Sequence, residues 1–467
     1  MSRHVVVVGG GIAGLAAAWE ARERGCAVTV VEADETLGGK IQAASLAGAT
    51  FDRGPDSFLA RVPFGQQFVN DLGGSAELSG PLTAAASVYA RGALRPLPAG
   101  HLLGVPGDIA ALAKGGLFSA RTIARLTAER LVLSKRPIDV AGTVREVLEP
   151  RLGREVLDTL VEPLIGGIYA GRVSEMELES VVPDVAQALA GHHSVVRAVA
   201  ARLEVSRHLP AAADPVFLRP KGGLHRLIEL AARRLGEHGV QIVLGATVDH
   251  VQKGAAGYEL HLSCRSGSPQ TLDADGIVIC VPAWRAGPLL AELDPSLPGV
   301  LARVASAGVS MVTVALAPTA LATLKGSGFL VPRSTAAMMT AATFISAKWG
   351  QRGAAGETLL RLSTGHAGDH RHEDLADPEL TTALVEDFER ISGVPITVLD
   401  SRVDRWPAGF PQYRVGHSHV VATVRAALRD TPVAVAGASY EGVGVAACIR
   451  QGREAATQVA RVLRPTG

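Results

Sequence analysis

The sequence predicts an α/β protein, and three observations support that class. A β-branched run near the N-terminus leads into a glycine-rich turn, a helix and a second short strand. Residues 221–252 return to the alternation of helix and strand, and residues 433–463 predict a strand, a glycine-rich turn and a long helix. The 467 residues are 47% hydrophobic and 19% charged, an ordinary globular composition. That length predicts two to four domains of roughly 150 residues each.

The charge balance and the cysteines limit the class further. The formal net charge is +1, so no long-range field draws nucleic acid or an anionic membrane to the chain. Cys26, Cys264, Cys280 and Cys448 are scattered without a CxxC pair, which argues against disulfides and a metal site and favours a reducing, cytoplasmic compartment. No apolar run reaches the roughly 18 residues of a transmembrane helix, and the N-terminus has no signal-peptide pattern. Peripheral contact with a membrane stays open.

The glycine-rich turn has the pattern of a dinucleotide-binding loop. Residues 4–8 predict a buried strand, and Gly9, Gly11 and Gly14 follow it as G-x-G-x-x-G. Gly9 permits a tight turn, Gly11 lets the backbone approach a pyrophosphate, and Gly14 lets helix and strand pack closely. The helix N-terminus then offers free N–H groups to phosphate oxygens.

The residues after the glycines complete the motif. A helix is predicted at 16–24 and a second strand at 26–31, which Glu32 ends. An acid at that point accepts a hydrogen bond from a ribose hydroxyl and disfavours a 2′-phosphate, so NADP is not expected. A glycine-rich turn of another α/β protein is the alternative, but the order strand, turn, helix, strand, acid favours a Rossmann-type domain.

A second loop, "ETLGGK" at 35–40, distinguishes FAD from NAD. Its glycines, Gly39 among them, and Lys40 resemble the second phosphate-contacting loop of two-domain FAD proteins. Lys40 would offset the charge of a pyrophosphate. Without the neighbouring motif, a solvated loop lysine would be the default interpretation.

The remaining pattern predicts a discontinuous architecture. Residues 84–97 predict a β-hairpin, 105–205 are mostly helical, and 308–363 alternate apolar strands. We expect a nucleotide domain, a β-rich substrate domain and a helical insertion. Their predicted ranges are 1–80, 210–282 and 405–467 for the first, 81–95 and 285–404 for the second, and 96–209 for the third.

The stretch "EPLIGGIYAGRV", 162–173, places a glycine cluster in apolar sequence. Gly166, Gly167 and Gly171 surround Tyr169. Glycine costs a helix interior ~1 kcal/mol relative to alanine. The cluster is therefore either a helix stop or backbone left bare so that a flat ligand can lie against it.

Taken together, the motifs resemble the FAD-dependent porphyrinogen oxidases of haem synthesis, and among them the Gram-positive branch that acts on coproporphyrinogen III. The resemblance covers essentially the whole chain. "RGPDSFLAR" and "EPLIGGIYAG" are its specific parts, supported by "VVVVGGGIAGLAAAW", "LGGK", "KGGLHRL", "WPAGFPQYRVGH" and "ASYEGVGVAACIRQG". It implies a discontinuous FAD-binding domain of the amine-oxidase and PHBH-like kind.

The resemblance also implies an activity. Such enzymes oxidise a porphyrinogen in three flavin cycles with O2, release hydrogen peroxide, and pass the product to a ferrochelatase by a transient contact. The alternatives are a protoporphyrinogen IX oxidase, a flavin amine oxidase or carotenoid desaturase on the same scaffold, and a non-catalytic flavin or porphyrin carrier. No paired carboxylates and no Ser-His-Asp arrangement are expected, because the flavin supplies the oxidising chemistry.

The site residues follow from the motifs. Further FAD contacts are implied at Ile12, Ala13, Ala33, Arg53, Gly54, Pro55, Asp56, Ser57, Val248, Trp406, Glu441, Val443, Gly444 and Val445. Substrate contacts are implied at Arg61, Gly166, Tyr169 and Arg172, with the Gly167 carbonyl as acceptor for pyrrole N–H. Arg95, Arg219 and Arg361 are further candidate propionate partners.

Two positions depart from the family pattern. Val62 stands where relatives carry a second basic residue after Arg61. Arg172 stands where close relatives often carry Asp, so a cation replaces an anion near the expected substrate path. A surface substitution without function is the alternative at that position.

Overall fold

The computed structural model describes residues 3–131, 137–207, 215–254, 257–265 and 267–463. The predicted α/β class is confirmed, since parallel strands flanked by helices form the N-terminal layer. The predicted boundary between residues 209 and 210 lies outside the described residues.

Strands account for the two main sheets and several small ribbons. The strands are β1 His4–Val8, β2 Ala27–Val31, β3 Ala43–Leu46, β4 Ala49–Asp52, β5 Phe58–Leu59, β6 Leu78–Ser79, β7 Ser87–Ala90, β8 Ala93–Pro96, β9 His101–Leu102, β10 Val105–Pro106, β11 Phe217–Pro220, β12 Gln241–Val243, β13 Ala246–Gly254, β14 Gly257–Cys264, β15 Gln270–Ala274, β16 Gly276–Ile279, β17 Ser306–Leu316, β18 Gly328–Leu330, β19 Met339–Thr343, β20 Thr358–Thr364, β21 Val398–Pro411 and β22 Val433–Val435.

Helices cover both faces of the first sheet and form a separate layer in the middle of the chain. The helices are α1 Ile12–Glu23, α2 Pro63–Asp71, α3 Ile109–Lys114, α4 Ala120–Leu131, α5 Val144–Leu152, α6 Arg154–Val156, α7 Glu162–Tyr169, α8 Leu178–Val181, α9 Pro183–Leu189, α10 Val195–Arg207, α11 His225–Glu237, α12 Ala283–Leu289, α13 Leu297–Leu301, α14 Ile345–Trp349, α15 Arg371–Asp374, α16 Asp377–Ser392, α17 His417–Leu428 and α18 Val445–Leu463.

The nucleotide layer is a parallel sheet in the order β12-β2-β1-β16-β22. Its strands come from the N-terminal, middle and C-terminal segments of the chain. Val5 and Val7 of β1 belong to one apolar cluster, whereas Val6 and Val8 belong to the cluster on the other face. Both faces of the strand are therefore buried, which explains its uninterrupted valine run.

Helices α1 and α18 pack closely on one face of this sheet. Ala16, Ala17 and Ala18 of α1 are completely buried. A side chain on Gly452 of α18 would collide with the carbonyl oxygen of Ala13. The small residues thus bring the N-terminal and C-terminal segments together beside the glycine loop.

The second sheet has seven strands in the order β21-β17-β20-β19-β18-β7-β8. The predicted hairpin at 84–97 is present, since Val88 of β7 pairs antiparallel with Arg95 of β8. Strand β21 covers Val398–Pro411 and pairs with β17. The predicted domain boundary between residues 404 and 405 therefore falls inside a continuous strand.

A helical layer between residues 109 and 207 has its own apolar core. Its helix α6 continues through a π-helical turn, Leu157–Val161, into α7. The helix-stop interpretation of Gly166 and Gly167 is wrong, because α7 includes both and ends at Tyr169. Ala170 ends the helix in the left-handed region with φ 48°. Within the described residues, no helix combines the length and apolar character needed to cross a membrane.

Candidate functional site

The N-terminal glycine loop has the backbone geometry that the motif predicts. Gly9 adopts φ 104°, a conformation that favours glycine. Gly11 is the N-cap of α1, and an added side chain there would meet open space. A side chain on Gly14 would collide with the carbonyl oxygen of Gly9. The loop therefore holds strand and helix in contact and leaves the backbone at Gly11 open to a ligand.

The second glycine loop contacts the first. The Gly38 amide donates to the Gly10 carbonyl at 2.9 Å, and Gly38 and Gly39 both have positive φ. A methyl group placed on Gly39 would lie 3.4 Å from the Gly11 Cα. Sequence reasoning selected Gly39 but missed Gly10 and Gly38, which join the loops. The G-G pair was a signal for Gly38, whereas the hydrogen bond depends on tertiary structure.

Lys40 lies next to this junction. Among the described residues its ammonium group makes no hydrogen bond and no ion pair, and burial lowers its pKa despite the opposing influence of Cys448. A half-buried cation without a counter-ion favours an anionic ligand. A pyrophosphate held by the two glycine loops would supply that charge.

Glu32 is held by backbone amides at the end of β2. Its Oε2 accepts from Gly10 N–H at 2.6 Å, and its Oε1 accepts from Asp34 N–H at 2.9 Å. Each carboxylate oxygen retains a second acceptor site for a ribose hydroxyl. The other predicted contacts of this region are Ile12 and Ala13, buried in the first turn of α1, and Ala33, which is exposed.

The segment "RGPDS" is fixed by charged groups from the second sheet. Arg53 donates to Asp404 and to Gln42, both at 2.6 Å. A side chain on Gly54 would collide with the Lys40 carbonyl oxygen. Arg361 donates to the Gly54 carbonyl at 3.1 Å. The buried guanidinium therefore positions this turn against the second glycine loop.

Asp56 forms an ion pair inside the protein. Its carboxylate accepts from Lys348 Nζ at 2.9 Å and from Trp349 Nε1 at 3.0 Å, and Ser57 donates to it at 2.8 Å. Burial alone would raise the pKa of Asp56, but the Lys348 and Arg361 charges hold it well below its usual range. The Asp56 carboxylate is therefore engaged by hydrogen bonds within the protein. The adjacent Pro55 is half-buried.

Two arginines proposed from sequence as propionate partners are interior residues. Arg361 donates to backbone carbonyls at Asp52 and Gly54. Arg219 is 3% exposed and lies 3.8 Å from the centre of the Trp349 ring. Both guanidinium groups are therefore engaged with protein partners in the interior, and their role as propionate partners stays a prediction.

The C-terminal glycine turn precedes α18. Gly442 has φ 98°, and a side chain added at Gly444 would meet open space. Val445 is the first residue of α18, so the unpaired N–H groups of the helix's first turn lie beside Gly444. Val443 packs against the helical-layer core. Glu441 is half-buried and accepts from Arg425 at 2.6 Å.

Trp406 and Val248 complete the predicted cofactor contacts. A methyl group on Gly54 would lie 3.8 Å from Cζ2 of Trp406. The Trp406 indole N–H is buried and has no hydrogen-bond partner in the part of the chain that the structure describes. Val248 is buried on β13, an edge strand of a three-stranded sheet. An unpaired indole N–H beside the turn that Gly54 forms is a donor available to a bound ligand.

The exposed face of α7 lies at Gly167. A side chain there would meet no atom within 4 Å, and the neighbouring Ile168 is 41% exposed. The amides of Ala170 and Gly171 both donate to the Gly166 carbonyl. Neither of these amides therefore donates to the Gly167 carbonyl, which is the predicted acceptor for a pyrrole N–H. Sequence reasoning missed Ile168.

The other predicted substrate contacts lie in three different surroundings. Tyr169 is 6% exposed and donates to the Val181 carbonyl at 3.0 Å, so its side chain belongs to the helical core. Arg61 lies 4.0 Å from Asp184 and is exposed. Arg172 lines a polar cleft formed with the second sheet. The structure does not bring these three side chains into one cluster.

The residues present fit FAD. Two glycine turns, at Gly11 and Gly444, leave backbone open to a ligand, and Gly39 packs against the first of them. Two polar groups without a partner among the described residues, Lys40 Nζ and the Trp406 indole N–H, lie near these turns. The cation suits a pyrophosphate, whereas the amides at the start of α18 suit negative charge on a flavin ring.

Comparison with protein families and curated proteins gives full-length matches. Residues 12–460 match the family of flavin containing amine oxidoreductases. A coproporphyrinogen III oxidase of Bacillus subtilis is 33% identical over 465 residues, covering 97% of each chain. The coproporphyrinogen III oxidase of Mycobacterium leprae is 34% identical over 96% of each chain. The chloroplastic protoporphyrinogen oxidase 1 of Arabidopsis thaliana is 26% identical over 97% of this chain and 87% of its own.

Solved structures share the architecture. A protoporphyrinogen oxidase candidate from Exiguobacterium sp. 255-15 superposes with a TM-score of 0.85, at 28% identity over 99% of both chains. Cyclohexylamine oxidase from Brevibacterium oxydans superposes with a TM-score of 0.70 at 19% identity, covering 99% of this chain and 100% of its own. The second likeness shows the fold alone.

Proposed function

Because the chain belongs to the family of flavin-containing amine oxidoreductases, we propose that it oxidises coproporphyrinogen III to coproporphyrin III with FAD as cofactor. The observation that carries this proposal is similarity over 97% of both chains to a coproporphyrinogen III oxidase. Each of three cycles removes two electrons and two protons from the macrocycle and reduces one O2 to hydrogen peroxide. The product then passes to a coproporphyrin ferrochelatase by a transient contact, and a cytoplasmic location remains part of the proposal.

When bound, FAD supplies the two-electron oxidising chemistry. The chain's own part begins with binding. The glycine loops at Gly11 and Gly39 would receive the phosphates, Lys40 would neutralise them, and the free N–H groups at the start of α18 would face developing negative charge.

The substrate side is built on α7. The bare surface at Gly167 admits the macrocycle, and the Gly167 carbonyl accepts a pyrrole N–H, which sets the distance and angle of the ring. Ile168 offers an apolar contact beside it. An apolar surface with one directed acceptor suits a porphyrinogen, whose body is apolar and whose N–H groups lie at its centre.

Porphyrin fluorescence tests the proposal directly. Purified holoenzyme is incubated with coproporphyrinogen III and protoporphyrinogen IX in parallel, and hydrogen peroxide is measured in the same samples. We expect faster development of coproporphyrin, with three peroxides for each porphyrin. Equal rates, or a preference for protoporphyrinogen, would contradict the substrate assignment.

Protoporphyrinogen IX is the second candidate substrate, favoured by the 26% identity to a plant protoporphyrinogen oxidase. Two further arms, a monoamine and phytoene, test the amine oxidase and desaturase alternatives. Anaerobic mixing with porphyrinogen tests the non-catalytic carrier, which predicts that the flavin absorbance stays unbleached.

A further inference from the structure

A polar cleft of about 800 Å³ lies where the helical layer meets the second sheet. Arg172, Arg333 and His366 line it, together with Ser174 and Ser334. The exposed glycine of α7, Gly167, is not part of its lining. The cleft is therefore distinct from the surface at Gly167 that receives the macrocycle in the proposed function.

Most charges in this cleft neutralise one another. Arg145 donates to Asp158 at 2.6 Å, and Arg154 donates to the same carboxylate at 3.0 Å. Arg371 donates to both oxygens of Asp369, at 2.8 Å and 2.6 Å. These three guanidinium groups already have carboxylate partners, so they provide no unpaired positive charge.

Arg172 and Arg333 differ from those arginines in their hydrogen bonds, although Arg333 also forms an ion pair, with Nη1 3.3 Å from Glu162 Oε1. Arg172 donates through Nε to the Ala367 carbonyl at 3.1 Å, and its contact with the Glu175 carboxylate is 4.0 Å long. Arg333 donates through Nη2 to the Gly171 carbonyl at 2.5 Å, while its Nη1 is buried without a hydrogen bond. Both guanidiniums therefore retain unused N–H groups in the cleft.

Glu162 is a second sign of an incomplete site. Its side chain is 8% exposed, its Oε1 has no hydrogen-bond partner, and Arg333 Nη1 lies 3.3 Å from that oxygen without a hydrogen-bonding geometry. Burial raises the pKa of Glu162 against the opposing charges of Arg333 and Arg145. The two atoms form an ion pair, but among the described residues neither buried atom has a hydrogen bond, which indicates a missing polar partner.

We propose that Arg172 and Arg333 form a binding site for a carboxylate side chain of the tetrapyrrole, and so favour a tetracarboxylate over a dicarboxylate. This inference rests on the proposed function. A methyl group on Gly166 would lie 3.8 Å from Arg333 Nη2. Gly166 and Gly167 differ by roughly 100° around the helix, so a macrocycle at Gly167 can extend one side chain towards Arg333. Guanidinium N–H groups suit the two oxygens of a carboxylate.

Fluorescence titration of purified holoenzyme with coproporphyrin and with protoporphyrin tests the site without turnover. We expect Arg172→Gln to raise the Kd for coproporphyrin about tenfold or more, because a charge-assisted hydrogen bond is lost. The ratio of the two Kd values should fall towards one. Arg172 has one backbone hydrogen bond and a side chain 42% exposed, so the variant is expected to fold.

Arg154→Gln is the matched control. It removes the same charge from the same cleft, but its side chain is 81% exposed and paired with Asp158. We expect less than about a twofold change in Kd, because an exposed ion pair is screened by solvent. A double variant, Arg333→Gln with Glu162→Gln, removes both unsatisfied groups and should reproduce the Arg172→Gln effect.

Several outcomes would overturn the inference. An unchanged Kd in Arg172→Gln, or equal effects of Arg172→Gln and Arg154→Gln, would exclude a specific site while leaving the proposed function intact. A wild-type holoenzyme that binds neither porphyrin would remove the proposed function and this site together.

Discussion

The Gly442 amide donates a 2.9 Å hydrogen bond to the hydroxyl of Tyr413, which donates in turn to the Ala438 carbonyl at 2.6 Å. Tyr413 is completely buried, and its ring lies 5.3 Å from that of Tyr169 in α7. Burial keeps the pKa of Tyr413 well above its ordinary value, so the hydroxyl stays protonated. One side chain therefore links the glycine turn before α18 to the helix that carries Gly167.

Tyr413→Phe should loosen this turn. The half-buried Gly442 amide would lose its acceptor, at a cost of about 1 kcal/mol or more. We expect a lower melting temperature and a reduced FAD content after purification, measured by differential scanning fluorimetry and by flavin absorbance.

Tyr169→Phe distinguishes the loss of stability expected for Tyr413→Phe from its loss of FAD. It also removes a buried hydroxyl, but this hydroxyl donates to Val181 inside the helical core. We expect comparable destabilisation with normal FAD content. Equal loss of FAD in the two variants would refute a specific role of Tyr413 at the glycine turn.

Lys40→Met should weaken FAD binding without destabilising the apoprotein. The ammonium group has no described partner, and burial lowers its pKa, so the folded apoprotein holds this charge at a cost. We expect the FAD dissociation constant to rise about tenfold or more, because a charge-assisted contact to phosphate is lost. The apoprotein should melt at the same temperature or higher.

Lys40→Arg keeps the charge and is the control for that prediction. FAD titration by flavin fluorescence quenching gives the affinity, and calorimetry of the flavin-free protein gives the stability. Unchanged affinity in Lys40→Met would show that the phosphates are held by backbone alone.

The amino-acid sequence was sufficient to predict those features whose residues lie close together in the chain. The fold class and the family resemblance are both confirmed, since the first strand, glycine loop and helix are adjacent in sequence. Tertiary contacts were not predictable. The Arg361 bond to Gly54 joins residues 307 positions apart, and nothing local distinguishes Arg361 from a ligand-binding arginine.

The error at α7 has a physical cause. Gly166 and Gly167 suggested a helix end because glycine has low helix propensity. In the structure Gly166 is packed tightly, with the Gly171 carbonyl 3.0 Å from the position of a side-chain carbon. Close packing retains the helix despite the propensity, and no single-sequence pattern reports such a contact.

Gly167→Val should abolish turnover while FAD stays bound. An added Cβ meets no atom outside the neighbouring helix residues within 4 Å, so the side chain extends into the space proposed for the macrocycle. We expect kcat/KM for coproporphyrinogen to fall about a hundredfold, as displacement of a reacting ring by an ångström or more can do. Flavin absorbance should be unchanged.

Gly236→Val is the matched control for that substitution. Gly236 also lies within a helix, α11, and has no neighbour within 4 Å of an added side chain. Valine is a β-branched residue and lowers helix stability at both positions. A difference in turnover between the two variants therefore reflects the proposed substrate surface at Gly167. Near-normal activity of Gly167→Val would return the glycine pair to a purely structural role.

Stability should fall as the pH drops below about 6.5, with His417 contributing. His417 Nε2 donates to the Tyr440 carbonyl at 2.7 Å, its ring stacks on Tyr413 at 3.8 Å, and burial lowers its pKa. The folded protein therefore binds this proton less readily than the unfolded chain does. The stabilisation is fully present above the unfolded pKa and is lost as the pH falls through the depressed folded value.

His417→Gln should make the melting temperature less dependent on pH between 7.5 and 5.5. The amide can still donate to Tyr440, so the stability at high pH changes little.

His101, His366 and His372 also have lowered pKa values from burial and act in the same direction, so a part of the wild-type slope will remain. Glu177 has a lowered pKa as well, but carboxylates titrate below this range. Thermal unfolding between pH 7.5 and 5.5 measures the difference in slope between the two proteins. One titrating group can change the free energy of unfolding by at most about 1.4 kcal/mol per pH unit. Identical slopes in the two proteins would show that the protonation of His417 has no thermodynamic link to folding.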